Sequence, residues 1–202
     1  MAQIKLYDFP SSPNCQRVKV VLAEKQLPYD IVPIDLRKKE QKNPDFLRLN
    51  PYGKVPVLTD GDTVLYESCI INEYLEEKYP APPLMPKEPA QRARLKILID
   101  YGMNHLNAPY QTLREELAKD EKERDTVKIE EAKKQTRNLL KRFEDEMAEQ
   151  PFLGGNFSLL DTDLIPRMLR YDIMGVLPDP NLPRLSRWLQ RMKERPSVKV
   201  IA

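Results

Sequence analysis

The chain has 202 residues, enough for one large domain or two small ones that each bury a core. Its 33 Lys and Arg against 31 Asp and Glu leave a formal charge of +2, which gives no electrostatic case for nucleic acid or a membrane surface as partner. Two distant cysteines, Cys15 and Cys69, make no disulfide framework, and any metal site or hydrolase triad would rest on the single histidine, His105, so a metal is not expected.

The N-terminus, MAQIKLYDFP, lacks the basic stretch and apolar run of a secretory signal, and no apolar run reaches 18 residues. The expectation is a soluble, cytoplasmic protein. Residues 3–9 alternate in polarity and predict a strand, and Pro10 to Pro13 a loop with two serines. From Asn14 to Lys25, Val18, Val21 and Leu22 recur at helical spacing, until Pro28 ends the helix and residues 29–34 predict a second strand. This β-α-β unit implies parallel strands.

A charged stretch with a short helix near Pro44–Leu49 follows. Strand-like runs at 55–59 and 62–66 flank Asp60-Gly61, a hairpin signal. Glu67-Ser68 opens another helix, which ends near Tyr79-Pro80. Residues 79–89 hold five prolines and predict a linker. Beyond it the pattern is helical: about 89–117, 125–149, 160–175 and 183–194. The charge-rich stretch 115–142 reads as the solvated face of a helical hairpin. The division is a mixed α/β domain over 1–79, a linker over 80–89 and an all-α domain over 90–202.

Four segments, in this order and spacing, resemble the glutathione transferase superfamily: SSPNCQRVKVVLAEK (11–25), NPYGKVPVL (50–58), YESCIINEYL (66–75) and FSLLDTDL (157–164). The loop is similar to those of serine-type enzymes, and a cyanobacterial chi-type class also fits. PPLMP (82–86) resembles stringent starvation protein A, a bacterial member of the same fold that works as an RNA polymerase partner. The resemblance implies an N-terminal thioredoxin-like domain of order βαβαββα, a C-terminal helical domain, glutathione as co-substrate, and a homodimer.

Physical chemistry gives each segment a task. The resemblance implies a cis bond before Pro56, with the Val55 backbone pairing with the peptide like an added strand. The start of the helix at Glu67-Ser68 offers unpaired N–H groups suited to a carboxylate. The resemblance implies that Ser68 holds the γ-glutamyl carboxylate while Glu67 meets the ligand's ammonium group. Lys54, Gln41 and Lys42 are the candidates for its glycine carboxylate.

The reacting end needs a thiolate. A free thiol, with pKa of about 8.5, is only about 3% ionised at pH 7, and lowering it by about two units takes about 2.7 kcal/mol. One hydrogen bond to the charged sulfur, about 1.5–3 kcal/mol, together with a helix N-terminus is enough. Ser11, Ser12 and Cys15 could each serve. Ser12 aligns with the catalytic serine of the family, and Cys15 with the second cysteine of the C-x-x-C loop, near a helix start where thiol pKa falls. Tyr7 lies one residue off the catalytic position of tyrosine-type members and reads as core.

The electrophile pocket is expected between the domains, with Phe9, Pro10, Met103, His105, Leu106 and Tyr110 as candidate walls. Ser158 and Asp161 form a capping-box pattern with a structural role. The leading expectation is an enzyme joining glutathione to small hydrophobic electrophiles. The alternatives are a non-enzymatic polymerase-binding scaffold and a glutathione-dependent reductase or peroxidase using Cys15.

Overall fold

The computed structural model describes residues 3–201, in two compact units. One covers the chain to Leu84 together with the stretch from Arg195 onward; the other runs from Met85 to Glu194.

The first unit holds β1 (Ile4–Asp8), α1 (Pro13–Glu24), β2 (Tyr29–Pro33), α2 (Pro44–Leu49), β3 (Val57–Asp60), β4 (Thr63–Tyr66) and α3 (Ser68–Lys78). Short 3₁₀ turns at Leu36–Lys38 and Glu40–Lys42 lead into α2. The element order is the expected βαβαββα. The sheet runs β2-β1-β3-β4, with β1 parallel to β2 and β3 antiparallel to both neighbours. Alternation buries Ile4, Leu6 and Asp8 on one face of β1. There Leu6 and Leu58 join Val18, Val21 and Leu22 of α1 and Ile71 and Leu75 of α3, all fully or nearly fully buried. Each such side chain contributes about 1.5–3 kcal/mol by leaving water.

The hairpin turn is Gly61-Asp62 rather than the expected Asp60-Gly61, because Asp60 pairs with Thr63 inside the ladder. Only Gly61 takes positive φ, 59°, as in turns whose first central residue alone must be left-handed. Asp60 is instead buried and accepts from Tyr74 and Tyr79 hydroxyls and from Lys78, closing the far end of the sheet onto α3. The linker is tied down as well. Lys25 pairs with Glu76 at 2.7 Å and donates to the carbonyls of Tyr79 and Pro82, while Glu76 accepts the Leu84 N–H.

The second unit contains α4 (Pro89–His105), α5 (Asn107–Leu117), α6 (Thr126–Met147), α7 (Leu159–Ile173) and α8 (Pro183–Glu194). A single helix over 89–117 is corrected to α4 and α5, which meet at Leu106. Pro109 has no N–H to donate to His105, and its ring would clash with that carbonyl. In α6 the buried residues Ile129, Ala132, Thr136, Leu140, Phe143 and Met147 form one stripe, and the charges cover the remainder. Helix α7 is buried along most of its length. Its capping box is formed: Ser158 N–H and hydroxyl donate to Asp161, which also accepts the Leu153 N–H and the Trp188 indole N–H at 2.7 Å. Helix α9 (Pro196–Lys199), which the periodicity reading misses, follows in the first unit.

Candidate functional site

The register of the first unit gathers the sequence candidates at one end of the sheet. Tyr7 faces Val57, and Val57 faces Tyr66. Since β3 runs against β1 and β4, the loop after β1, the entry to β3 and the exit from β4 all leave at that end. The segments carrying Ser12, Val55 and Glu67-Ser68 therefore converge. One apolar cluster underlies them, with Cys15, Phe46, Val55 and Val57 buried and Tyr7, Phe9 and Tyr66 packed against it. Tyr7 is core there, as expected, its ring 6.2 Å from that of Phe46.

Ser12 caps α1. Its backbone is extended (φ −78°, ψ 119°), its N–H donates to Phe9 O at 2.8 Å, and its hydroxyl oxygen accepts the Cys15 N–H at 3.4 Å. With Pro13 opening the helix, the first turn is a standard start. Ser11 beside it is exposed. Cys15 corrects the expectation of a low thiol pKa. It is fully buried, and burial, with the neighbouring Asp8 carboxylate adding to it, pushes the thiol up to about 12. Hydrogen bonds with Phe9 and Ser12 pull the other way but are outweighed. Asp8 itself pairs with Lys19 at 2.6 Å beneath the loop.

The Val55–Pro56 peptide bond is cis, as the resemblance implies, and both residues are buried. The turn before them depends on Asn50, a residue of no assigned role in the sequence reading. At 1% exposure, Asn50 donates to Lys54 O at 2.7 Å and accepts the Tyr52 N–H. Gly53 fills the same turn with φ 58°, and a Cβ there would lie 2.9 Å from Gln41 O and 2.7 Å from Lys42 Nζ. Thus Gln41 and Lys42 are brought against the Asn50–Lys54 turn. Lys42 Nζ lies 3.4 Å from Tyr52 O, Gln41 turns a buried Oε1 inward, and Lys54 is exposed.

At the third segment, Ser68 is the first residue of α3 and is 6% exposed. Glu67 caps the helix through its backbone alone, accepting the Ile71 N–H at 2.9 Å, and its side chain projects to the surface. No acidic residue occupies the first turn of α3 beyond the Glu67 cap, and the N–H groups of that turn lie at the positive end of the helix dipole. Cys69 accepts from the Arg17 guanidinium at 3.4 Å.

The remaining candidates divide by unit. Phe9 is half-buried in the cluster, and Pro10 is exposed with its carbonyl accepting from Gln16. On α4, Met103 is half-buried and His105 exposed, its ring 4.7 Å from that of Tyr101. Leu106 and Tyr110 are buried, at 0% and 6% exposed. The Leu106 carbonyl accepts the Tyr171 hydroxyl at 2.9 Å, and the Tyr110 ring packs edge-on to Tyr171 and beneath Arg167, so both belong to the helical core. Among the described residues, no grouping of three or more His, Cys, Asp or Glu could hold a metal ion, and no helix is long and apolar enough to cross a membrane.

Comparison with known proteins gives a consistent picture. Residues 6–83 match the family model for the glutathione S-transferase N-terminal domain, and residues 75–196 that for the C-terminal domain. The chain is 35% identical to glutathione S-transferase 3 of Zea mays, over 98% of this chain and 92% of that protein. It is 36% identical to a stringent starvation protein A homolog of Pasteurella multocida, over 80% of this chain and 72% of that protein. Among solved structures it is similar to the theta class glutathione S-transferase of the citrus canker pathogen Xanthomonas axonopodis pv. citri with glutathione bound. The TM-score is 0.89 at 30% identity, covering 99% of this chain and 97% of the other.

Proposed function

The chain belongs to the glutathione S-transferase family, and on that premise we propose that it joins the thiolate of glutathione to small hydrophobic electrophiles. The observation that carries this reading is the convergence of Ser12, Val55 and Glu67-Ser68 at one end of the sheet. The α3 N-terminus and Ser68 take the γ-glutamyl carboxylate, Glu67 the ammonium group, and the Val55 backbone the cysteinyl amide. Gln41, Lys42 and Lys54 supply amide and cationic partners for the glycine carboxylate. These contacts set the thiol beside the start of α1. There the Ser12 hydroxyl donates to the developing thiolate, aided by the helix dipole. The thiolate attacks the electrophile; the thiol proton leaves to water, so no general base is required. The buried, high-pKa thiol of Cys15 favours this route over one through a Cys15 mixed disulfide.

The same reading carries a cytoplasmic homodimer. Exposed Val64 and Ile70 on the first unit and Ile97 on the second are apolar surfaces available to a partner copy. A solution mass of twice 23.6 kDa is its test.

The function is tested by titrating glutathione with pH in the presence of the protein, following thiolate absorbance. The bound thiol is expected to ionise well below its free value. In Ser12→Ala it returns toward that value and kcat/KM falls by roughly 10–100-fold, the equivalent of one hydrogen bond to a charged group. A shift that survives Ser12→Ala transfers the role to Ser11 or the helix dipole. No binding at all favours a scaffold such as the stringent starvation protein A relatives suggest.

A further inference from the structure

From Arg195 onward the chain rejoins the first unit, and α9 lies along α1. It is fastened at both ends of that helix. At the C-terminal end of α1, Glu24 accepts from Arg195 through both carboxylate oxygens, at 2.6 and 2.7 Å, and also from the Ser197 hydroxyl. Ser197 and Val198 are buried. At the N-terminal end, eight residues or about 12 Å away along the helix, the Gln16 side-chain amide reaches two carbonyls. Its Nε2 lies 3.0 Å from Pro10 O and 3.3 Å from Ile201 O. Gln16 is 8% exposed, and its own N–H donates to Ser12 O at 3.0 Å. One amide nitrogen thus joins the loop that presents Ser12 to the last turn of the chain, 185 residues away.

We infer that Gln16 is a positioning residue through which the C-terminal segment Arg195–Ile201 holds the Phe9–Ser12 loop in place for thiol activation. The functional part of this inference rests on the transferase reading; the mechanical part does not. A primary amide suits the task because it carries two N–H donors on one nitrogen, one for each carbonyl. Phe9 is anchored in the apolar cluster and Ser12 at the start of α1, and the Gln16 amide adds a tie from the Pro10 carbonyl between them to the C-terminal segment. Release of the tail removes one of the two carbonyls between which the amide is oriented. The amide then keeps the Pro10 carbonyl alone, and the loop before Ser12 loses its tie to α9 and gains mobility.

Two measurements test this in the full-length protein. The first is hydrogen exchange at the Ser12 and Cys15 amides in Gln16→Ala, in Arg195→Ala/Ser197→Ala, and in the triple variant. Exchange is expected to accelerate by roughly tenfold in each of the first two, with little further change in the triple variant, because the residues act in one chain of contacts. The second is the kinetic split. kcat should fall by roughly tenfold and the pKa of the bound glutathione thiol should rise, while KM for glutathione holds because its carboxylate contacts lie elsewhere. Unchanged loop exchange in the tail variant, or effects that multiply in the triple variant, overturns the inference. A lowered melting temperature with unmoved thiol pKa reduces Gln16 to a structural role and overturns it too. If the wild type binds no glutathione yet the amide exchange remains coupled, the transferase reading fails and the coupling stands. Should Gln16→Ala not fold, the tail variant decides alone.

Discussion

At Glu67 the backbone takes φ 69° and ψ 108°, outside the regions open to a residue with a Cβ and readily reached only by glycine. Such a conformation costs about 1–3 kcal/mol and persists where the surrounding structure imposes it, typically at ligand sites. Here the imposed task is to turn the chain from β4 into α3 while aiming the first N–H groups of the helix outward. Glu67→Gly is therefore expected to raise stability by about 1 kcal/mol in thermal or denaturant unfolding and, on the proposed role of Glu67 toward the ammonium group, to weaken glutathione binding. A stability decrease would show that the side chain, not the backbone, holds the turn. Sequence located Glu67-Ser68 at a helix start but carried no sign of the strain, because strain is usually signalled by glycine and none is present. Cys15 shows a similar gap. Its place in the helix was legible, but its pKa depends on burial by Phe46, Val55 and Val57, residues far along the chain.

Among elements, those whose signal is local were read from sequence and those decided by tertiary partners were not. Proline breaks, caps and strand alternation placed β1, α1, β2, α3 and α8. The α4–α5 division was also local, carried by Pro109, but the continuous apolar periodicity on both sides hid it. Asn50 was invisible as an organiser because its contacts are with backbone atoms of its own turn. The hairpin of α5 and α6 gives the pH prediction. Glu116, 2% exposed, accepts from Lys119 at 2.7 Å, from Lys128 at 3.0 Å and from the Asp125 N–H at 3.2 Å. These partners, Lys119 foremost, hold its carboxyl at about 2, well below the ordinary 4.5. A carboxylate depressed by folding contributes fully above its unfolded pKa and loses that contribution as pH falls toward the folded value. Acid unfolding of the wild type should steepen between about pH 4.5 and 2. Glu116→Gln should lower the melting temperature at pH 7 and flatten that acid limb; an unchanged limb would assign the acid response to other carboxylates.

At the scale of the whole molecule, the order of the chain and the order of packing differ. The helical unit is continuous in sequence, whereas the first unit is assembled from residues up to Leu84 and the segment from Arg195 onward. Composition and periodicity could divide the chain at the proline-rich linker, but nothing local in Arg195–Ile201 signals that this segment packs with β1–α3. That information lies in a carboxylate on α1 and its two partners near the other terminus. Glu24 is half-buried and receives three hydrogen bonds from Arg195 and Ser197. Charge-assisted bonds of this kind contribute about 1.5–3 kcal/mol when removal leaves their partners without an acceptor. Glu24→Ala should therefore destabilise the first unit by about 2 kcal/mol. The loss should appear as faster hydrogen exchange in β1, β3 and α1 and as earlier proteolysis after residue 194, with α6 and α7 keeping their protection. Equal loss of protection in both units would mean that they unfold as one cooperative body, and that the segment from Arg195 onward stabilises the whole chain rather than the unit it packs with.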